Sequence, residues 1–240
     1  MAPSKRGERA RQASLHRLLL EVYDRLLDRY GPQNWWPAES RFEIIIGAVL
    51  TQAAAWTNVE KALNRLKAAE VFSPQALRQI PEGDLARLIY SAGYFNVKAR
   101  KLKAVAAYLG ERFNDDIDAM LLQEAGGLRR ELLAVYGLGE ETVDDILLYV
   151  AEKPYFVIDA YTRRITERLG LSSARDSYGT HQALFMEHLP QDAILFNEYH
   201  ALLDEHAKAA CRKEPLCQEC CLLDLCPTGR ARVAHSATVQ

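Results

Sequence analysis

Apolar residues recur every three to four positions along most of the chain: in LHRLLLEVYDRLLDRY, FEIIIGAVLTQ, VEKALNRLKAAE, ALRQI, DLARLIYSAG, KARKLKAVAAYLGERF, LRRELLAVYG, ETVDDILLYVAE and AYTRRITERLG. That spacing lays an apolar stripe along an α-helix, whereas a half-buried strand needs alternation, which no segment sustains. YFVID carries strand-like residues, but Pro154 precedes it and a helical pattern follows, so it reads as a buried connection. Breakers at Pro32, Pro37, Gly93, Gly126, Gly127, Gly137, Gly139, Pro154 and Gly170 cut the chain into about ten short helices with no repeat of fixed period. The expected fold class is therefore all-α, with short connections between neighbouring helices.

Composition keeps this picture and narrows it. With 240 residues, 49% hydrophobic and 26% charged, the chain can bury one large core or two modest ones. No apolar run approaches the roughly 20 residues of a membrane helix, and the start lacks a signal-peptide core, so a cytoplasmic location is expected. A net charge of -2 argues against a polyanionic partner. Two runs are locally basic, however: Lys5, Arg6, Arg9 and Arg11 at the start, and Lys98, Arg100, Lys101 and Lys103 farther on. Each is either a solvated face or a set of phosphate contacts.

In LLAVYGLGEETVDDILLYV two amphipathic patterns meet at Gly137-Leu138-Gly139. Glycine on both flanks permits positive φ and close approach of a ligand to the backbone, while Leu138 can anchor the turn in the core. The first amides of the following helix form an anion site, for which a DNA phosphate is a natural occupant. The same helix begins with Glu140, Glu141, Asp144 and Asp145, acids that suit the helix dipole and repel DNA. Either they point into the active-site cleft or affinity is low, with the lysine run supplying most phosphate contacts.

Asp159 ends the apolar run and precedes AYTRRITERLG. It reads both as an N-cap and as a carboxylate held ionised at a helix N-terminus for catalysis. Five cysteines fall within a short C-terminal segment, as Cys211-x5-Cys217-x2-Cys220-x5-Cys226 with Cys221 left over. Four thiolates so close in sequence can surround one metal centre, either an iron-sulfur cluster or a structural zinc. Cys220 is preferred to Cys221 because it leaves the two-residue gap of a metal knuckle.

The G-x-G hairpin, V-I-D before a helix and the four cysteines together resemble the endonuclease III branch of the helix-hairpin-helix glycosylase superfamily, over nearly the whole chain. WWPAESRFEIIIGAVLTQ followed by W-x-N-V-E-K-A-L is similar to the endonuclease-III-related subfamily that contains 3-methyladenine glycosylases. The resemblance implies a six-helix barrel domain over 34–152 and a second helical domain from 1–33 and 153–240, with DNA in the cleft between. It implies a 4Fe-4S cluster on Cys211, Cys217, Cys220 and Cys226, Asp159 as catalytic carboxylate, and Gln52 inserted where the target base has left the duplex. Gly137, Leu138, Gly139, Lys98 and Lys101 are the expected DNA contacts. Trp35, Trp56 and Tyr94, with Trp36 and Phe95 beside them, are expected walls of a base pocket.

Three departures matter. Glu141 stands where endonuclease III has a lysine, and a carboxylate cannot form the Schiff base of a strand-cleaving enzyme. The expected activity is thus monofunctional base excision, with alkylated purines as the favoured lesions and duplex DNA bearing a damaged base as the partner of a monomeric enzyme. The first cysteine gap is one residue shorter than the family's, and Ala53-Ala54 replace Asn-Thr after the glutamine. An oxidised-pyrimidine or mismatch glycosylase, or a non-catalytic damage sensor on the same scaffold, are the alternatives.

Overall fold

The computed structural model describes residues 5–238, with side chains described at 7 and over 11–235. The Lys5, Arg6 and Arg9 side chains of the basic N-terminal run lie outside them. Among the described residues every regular element is helical, as the apolar spacing requires. The chain forms two compact units, one joining residues up to Trp35 with those from Pro154 onward, the other spanning Trp36–Lys153.

The discontinuous unit opens with α1 (Lys5–Tyr30). The internal unit then holds α2 (Arg41–Leu50), α3 (Trp56–Ala68), α4 (Pro74–Gln79), α5 (Glu82–Leu88), α6 (Phe95–Phe113), α7 (Ala125–Leu133) and α8 (Glu140–Asp145). Short 3-10 turns link several of these, and α8 runs on as a π-helical turn, Ile146–Val150. At the centre is α2, whose Ile45, Ile46, Ala48, Val49 and Leu50 are all buried. Its start is fixed by Ser40, whose hydroxyl accepts from the Glu43 amide at 3.2 Å.

Phe156, Val157 and Ile158 are fully buried without regular structure, as expected of a connection. Two of their backbone groups meet side chains: Gln182 donates to the Phe156 carbonyl at 2.8 Å, and the Ile158 amide donates to the Tyr178 hydroxyl at 3.3 Å. The discontinuous unit continues through α9 (Ala160–Arg168), α10 (Tyr178–Met186), α11 (Ala193–Ala209) and α12 (Pro227–Thr238). Phe156 stacks on Phe185 with ring centres 3.8 Å apart, and Tyr199 of α11 donates to the Leu19 carbonyl of α1 at 2.8 Å. The apolar pattern named no helix beyond Gly170. Helices α10 and α11 escape it because they bury His181, Gln182, His200 and His206 on their inward faces, which breaks the stripe.

Candidate functional site

The hairpin has a longer turn than the sequence suggested, because α7 stops at Leu133 and residues 134–139 cross to α8. Leu138 is buried, the anchoring role expected of it. Only the first glycine needs its freedom: Gly137 sits at φ 85°, and a Cβ there would collide with the Lys101 stem. Gly139 lies at φ -95° and caps α8, with no atom within 4 Å of where a Cβ would stand.

Gln52, just past the end of α2, is tied to this turn. Its amide nitrogen donates to the Thr142 hydroxyl at 2.8 Å and the Gly137 carbonyl at 3.3 Å, and its oxygen accepts from Lys101. The structure thus brings together Gln52, Lys101 and the hairpin, three of the predicted DNA contacts. Lys98 does not join them. It is 2% exposed, and its ammonium donates to the Leu50 carbonyl at 2.9 Å and the Ala92 carbonyl at 2.7 Å, capping helix ends. This corrects its expected place as a phosphate contact. Burial, and secondarily the Lys101 charge, lower its pKa to about 8. Lys103 is spent likewise on the Leu77 and Arg78 carbonyls at 3.2 and 3.0 Å, whereas Arg100 is exposed.

The acidic crowding at α8 resolves in an unforeseen way. Asp144 is fully buried inside its own unit and gripped by Arg129, with Nε to Oδ1 at 2.7 Å and Nη2 to Oδ2 at 3.1 Å. The same guanidinium stands 3.8 Å from Glu140. Glu141 remains exposed. One arginine on α7 therefore offsets one of the four acidic charges that the sequence set against DNA.

The expected aromatic walls belong to both units. Trp56 packs edge-on against Trp36 (5.7 Å), which does the same with Tyr149 (5.4 Å). Trp56 also lines an open groove of about 650 Å³ with Glu43, Glu60 and Lys67. Trp35 belongs to the other unit, where Lys208 lies 5.6 Å over its ring. Tyr94 is 73% exposed in the left-handed region (φ 46°) at the start of α6.

In the discontinuous unit Asp159 has the extended backbone of an N-cap, and its Oδ1 accepts from the Thr162 amide at 2.7 Å. His200 of α11, which the sequence did not single out, places Nε2 4.0 Å from the same oxygen. Burial pushes this imidazole below its usual pKa, against the opposing pull of the Asp159 carboxylate. Asp159 thus has a fixed orientation beside a buried ring.

Cys211, Cys217, Cys220 and Cys226 line one pocket, together with Ile165, Leu169, Leu222 and Leu223, and Cys221 is not among its walls. Among the described residues no three metal-binding side chains converge on a point suited to a single ion. Donors are aimed at the sulfurs: Arg168 at Cys211 (3.3 Å), the Leu222 amide at Cys220 (3.4 Å), and the Gly229 amide at Cys226 (3.3 Å). Arg25 of α1 steadies the loop from outside through Asp224 and the Cys221 carbonyl.

Comparison with known proteins places these features in context. A family model described as HhH-GPD superfamily base excision DNA repair protein matches residues 46–191, which include both the hairpin and Asp159. A provisionally named DNA repair glycosylase of Methanocaldococcus jannaschii is 41% identical over 210 residues, covering 87% of this chain and 96% of that protein. Endonuclease III of Thermotoga maritima is 31% identical over 216 residues, covering 89% and 95%. Among solved structures, a trapped endonuclease III–DNA covalent intermediate matches at TM-score 0.79 and 22% identity, over 91% of this chain and 98% of that one. Helicobacter pylori 3-methyladenine DNA glycosylase bound to 1,N6-ethenoadenine matches at TM-score 0.68 and 25% identity, over 82% and 97%.

Proposed function

The chain belongs to the HhH-GPD superfamily of base excision DNA repair proteins and is a DNA glycosylase, and we propose that it is monofunctional, hydrolysing the N-glycosidic bond of an alkylated purine without cutting the strand. The observation that carries this reading is Asp159, a carboxylate with fixed orientation; the resemblance to endonuclease III adds that Glu141 takes the position of the amine in a strand-cleaving enzyme.

A base inside a duplex is out of reach, so it must be flipped out at a cost of a few kcal/mol, which damage lowers. Cleavage then builds positive charge on the sugar. The Asp159 carboxylate stabilises that charge and orients water, the nucleophile that remains when no amine is present. Gln52 takes the place vacated in the stack, leaving its bonds to Thr142 and Gly137 to do so, and Lys101 with the Gly137–Gly139 backbone holds the phosphates. An alkylated purine is cationic, which favours the aromatic face of Trp56. Similarity to endonuclease III supports a second reading, strand-cleaving excision of oxidised pyrimidines, against which Glu141 stands.

The cysteine pocket fits a 4Fe-4S cluster held by Cys211, Cys217, Cys220 and Cys226. All four cysteines line one pocket whose other walls are largely apolar. The N–H donors on three of the sulfurs suit iron-bound thiolates, which can only accept. When bound, such a group orders the loop and carries one electron.

Duplexes bearing 3-methyladenine, an oxidised pyrimidine, uracil or a mismatch, incubated with protein and then treated with alkali, test the activity. Abasic sites at the alkylated purine alone are expected. Excision of only the oxidised pyrimidine supports the second reading, and duplex binding without excision of any lesion points to a damage sensor. Iron and acid-labile sulfide in stoichiometric amounts are expected of the purified protein; zinc in their place refutes the cluster.

A further inference from the structure

His206 of α11 is 1% exposed, so its ring nitrogens have no access to water. Nδ1 lies 2.9 Å from the Tyr30 hydroxyl at the end of α1, and Nε2 lies 3.7 Å from the Cys220 sulfur. A metal-bound thiolate carries no proton and can only accept. The nitrogen facing it must therefore hold the ring proton, which leaves Nδ1 an acceptor and makes Tyr30 the donor that fixes the tautomer. Tyr30, His206 and Cys220 then form a directed chain: hydroxyl to imidazole, imidazole to sulfur.

We propose that this chain tunes the cluster, with His206 and Tyr30 raising its reduction potential by donating toward Cys220. The inference rests on the cluster reading above. Hydrogen bonds to cluster sulfurs are among the levers by which a protein sets potential, and a donor stabilises whichever state carries more negative charge, the reduced one. The other sulfur donors are backbone amides and the permanently charged Arg168. His206 differs because its ability to donate depends on a second residue, drawn from the opposite end of the sequence.

The test is a potentiometric titration of the wild-type holoprotein, Tyr30→Phe, His206→Phe and His206→Gln, followed by the visible absorbance of the cluster after iron and sulfide analysis of each. Absence of iron from the wild type overturns the cluster reading itself, a result separate from those that follow. With iron present, the potential should fall in both phenylalanine variants, more in His206→Phe, and return toward the wild-type value in His206→Gln, whose amide can donate. Tyr30→Phe leaves the imidazole in place and decides the matter if His206→Phe fails to fold. Unchanged potentials overturn the proposal, as does loss of the cluster from both phenylalanine variants with folding intact, because that outcome assigns the pair to loading and not to tuning.

Discussion

Removing the Arg129 side chain as Arg129→Met leaves the Asp144 carboxylate fully buried at the first turns of α8, without the two hydrogen bonds of 2.7 and 3.1 Å that now hold it. Breaking a buried ion pair costs about 3–5 kcal/mol because the surviving charge stays desolvated. Arg129 keeps 20% exposure, so the lower end applies, about 3 kcal/mol. At about 2–4 °C per kcal/mol for a chain of this size, the melting temperature should fall by roughly 6–12 °C. The double variant Arg129→Met, Asp144→Leu removes both charges and should recover to within about 1 kcal/mol of wild type. Urea titration followed by circular dichroism measures all three proteins. A single-variant loss under 1 kcal/mol, or a double variant no more stable than the single, refutes the claim that this pair neutralises and anchors the hairpin helix.

Three further outcomes follow from the same geometry. Gly137→Ala forces a side chain into φ 85° and against the Lys101 stem, and should cost about 1–3 kcal/mol in a denaturant titration while weakening duplex binding in a gel shift. Ala55 caps α3 in extended backbone with no side-chain bond, so Ala55→Ser should stabilise by about 1 kcal/mol; no rise in midpoint contradicts the cap assignment. Lys98 has a folded pKa of about 8 against 10.5 for the free group, so between those values the unfolded chain holds the proton and the folded one does not. Stability from this residue therefore rises with pH through that window, by about 3 kcal/mol, and the wild type should gain that much on Lys98→Met between neutral pH and pH 10.5. A gap between the two that stays constant with pH refutes the burial of a titrating amine.

The legible parts were those where one residue type has one or two physical uses. Leu138 in a polar turn goes inward, and Asp159 before a helical pattern caps it, as one of its two expected uses requires. The lysine run was misread because it was taken as a unit. Lys98 falls four and seven positions before Leu102 and Val105, on the buried stripe of α6, whereas Arg100 lies off it and is exposed. Reading the run against that stripe separates the two. Arg129 and His200 left no such mark: an arginine that turns inward looks like any charged helix position, and a buried histidine interrupts the apolar pattern that would reveal its helix. Their roles arise from contacts 15 and 41 residues away in sequence, with Asp144 and Asp159.

The most direct measurement is single-turnover excision from a duplex carrying an alkylated purine, by wild type and Asp159→Asn, with products resolved with and without alkali and with borohydride present. The account predicts alkali-labile abasic sites from the wild type, no strand break without alkali and no protein–DNA adduct on reduction. It predicts a rate for Asp159→Asn lower by about 100-fold or more at unchanged duplex affinity. Near-wild-type excision by Asp159→Asn, or a borohydride-trapped adduct, contradicts it.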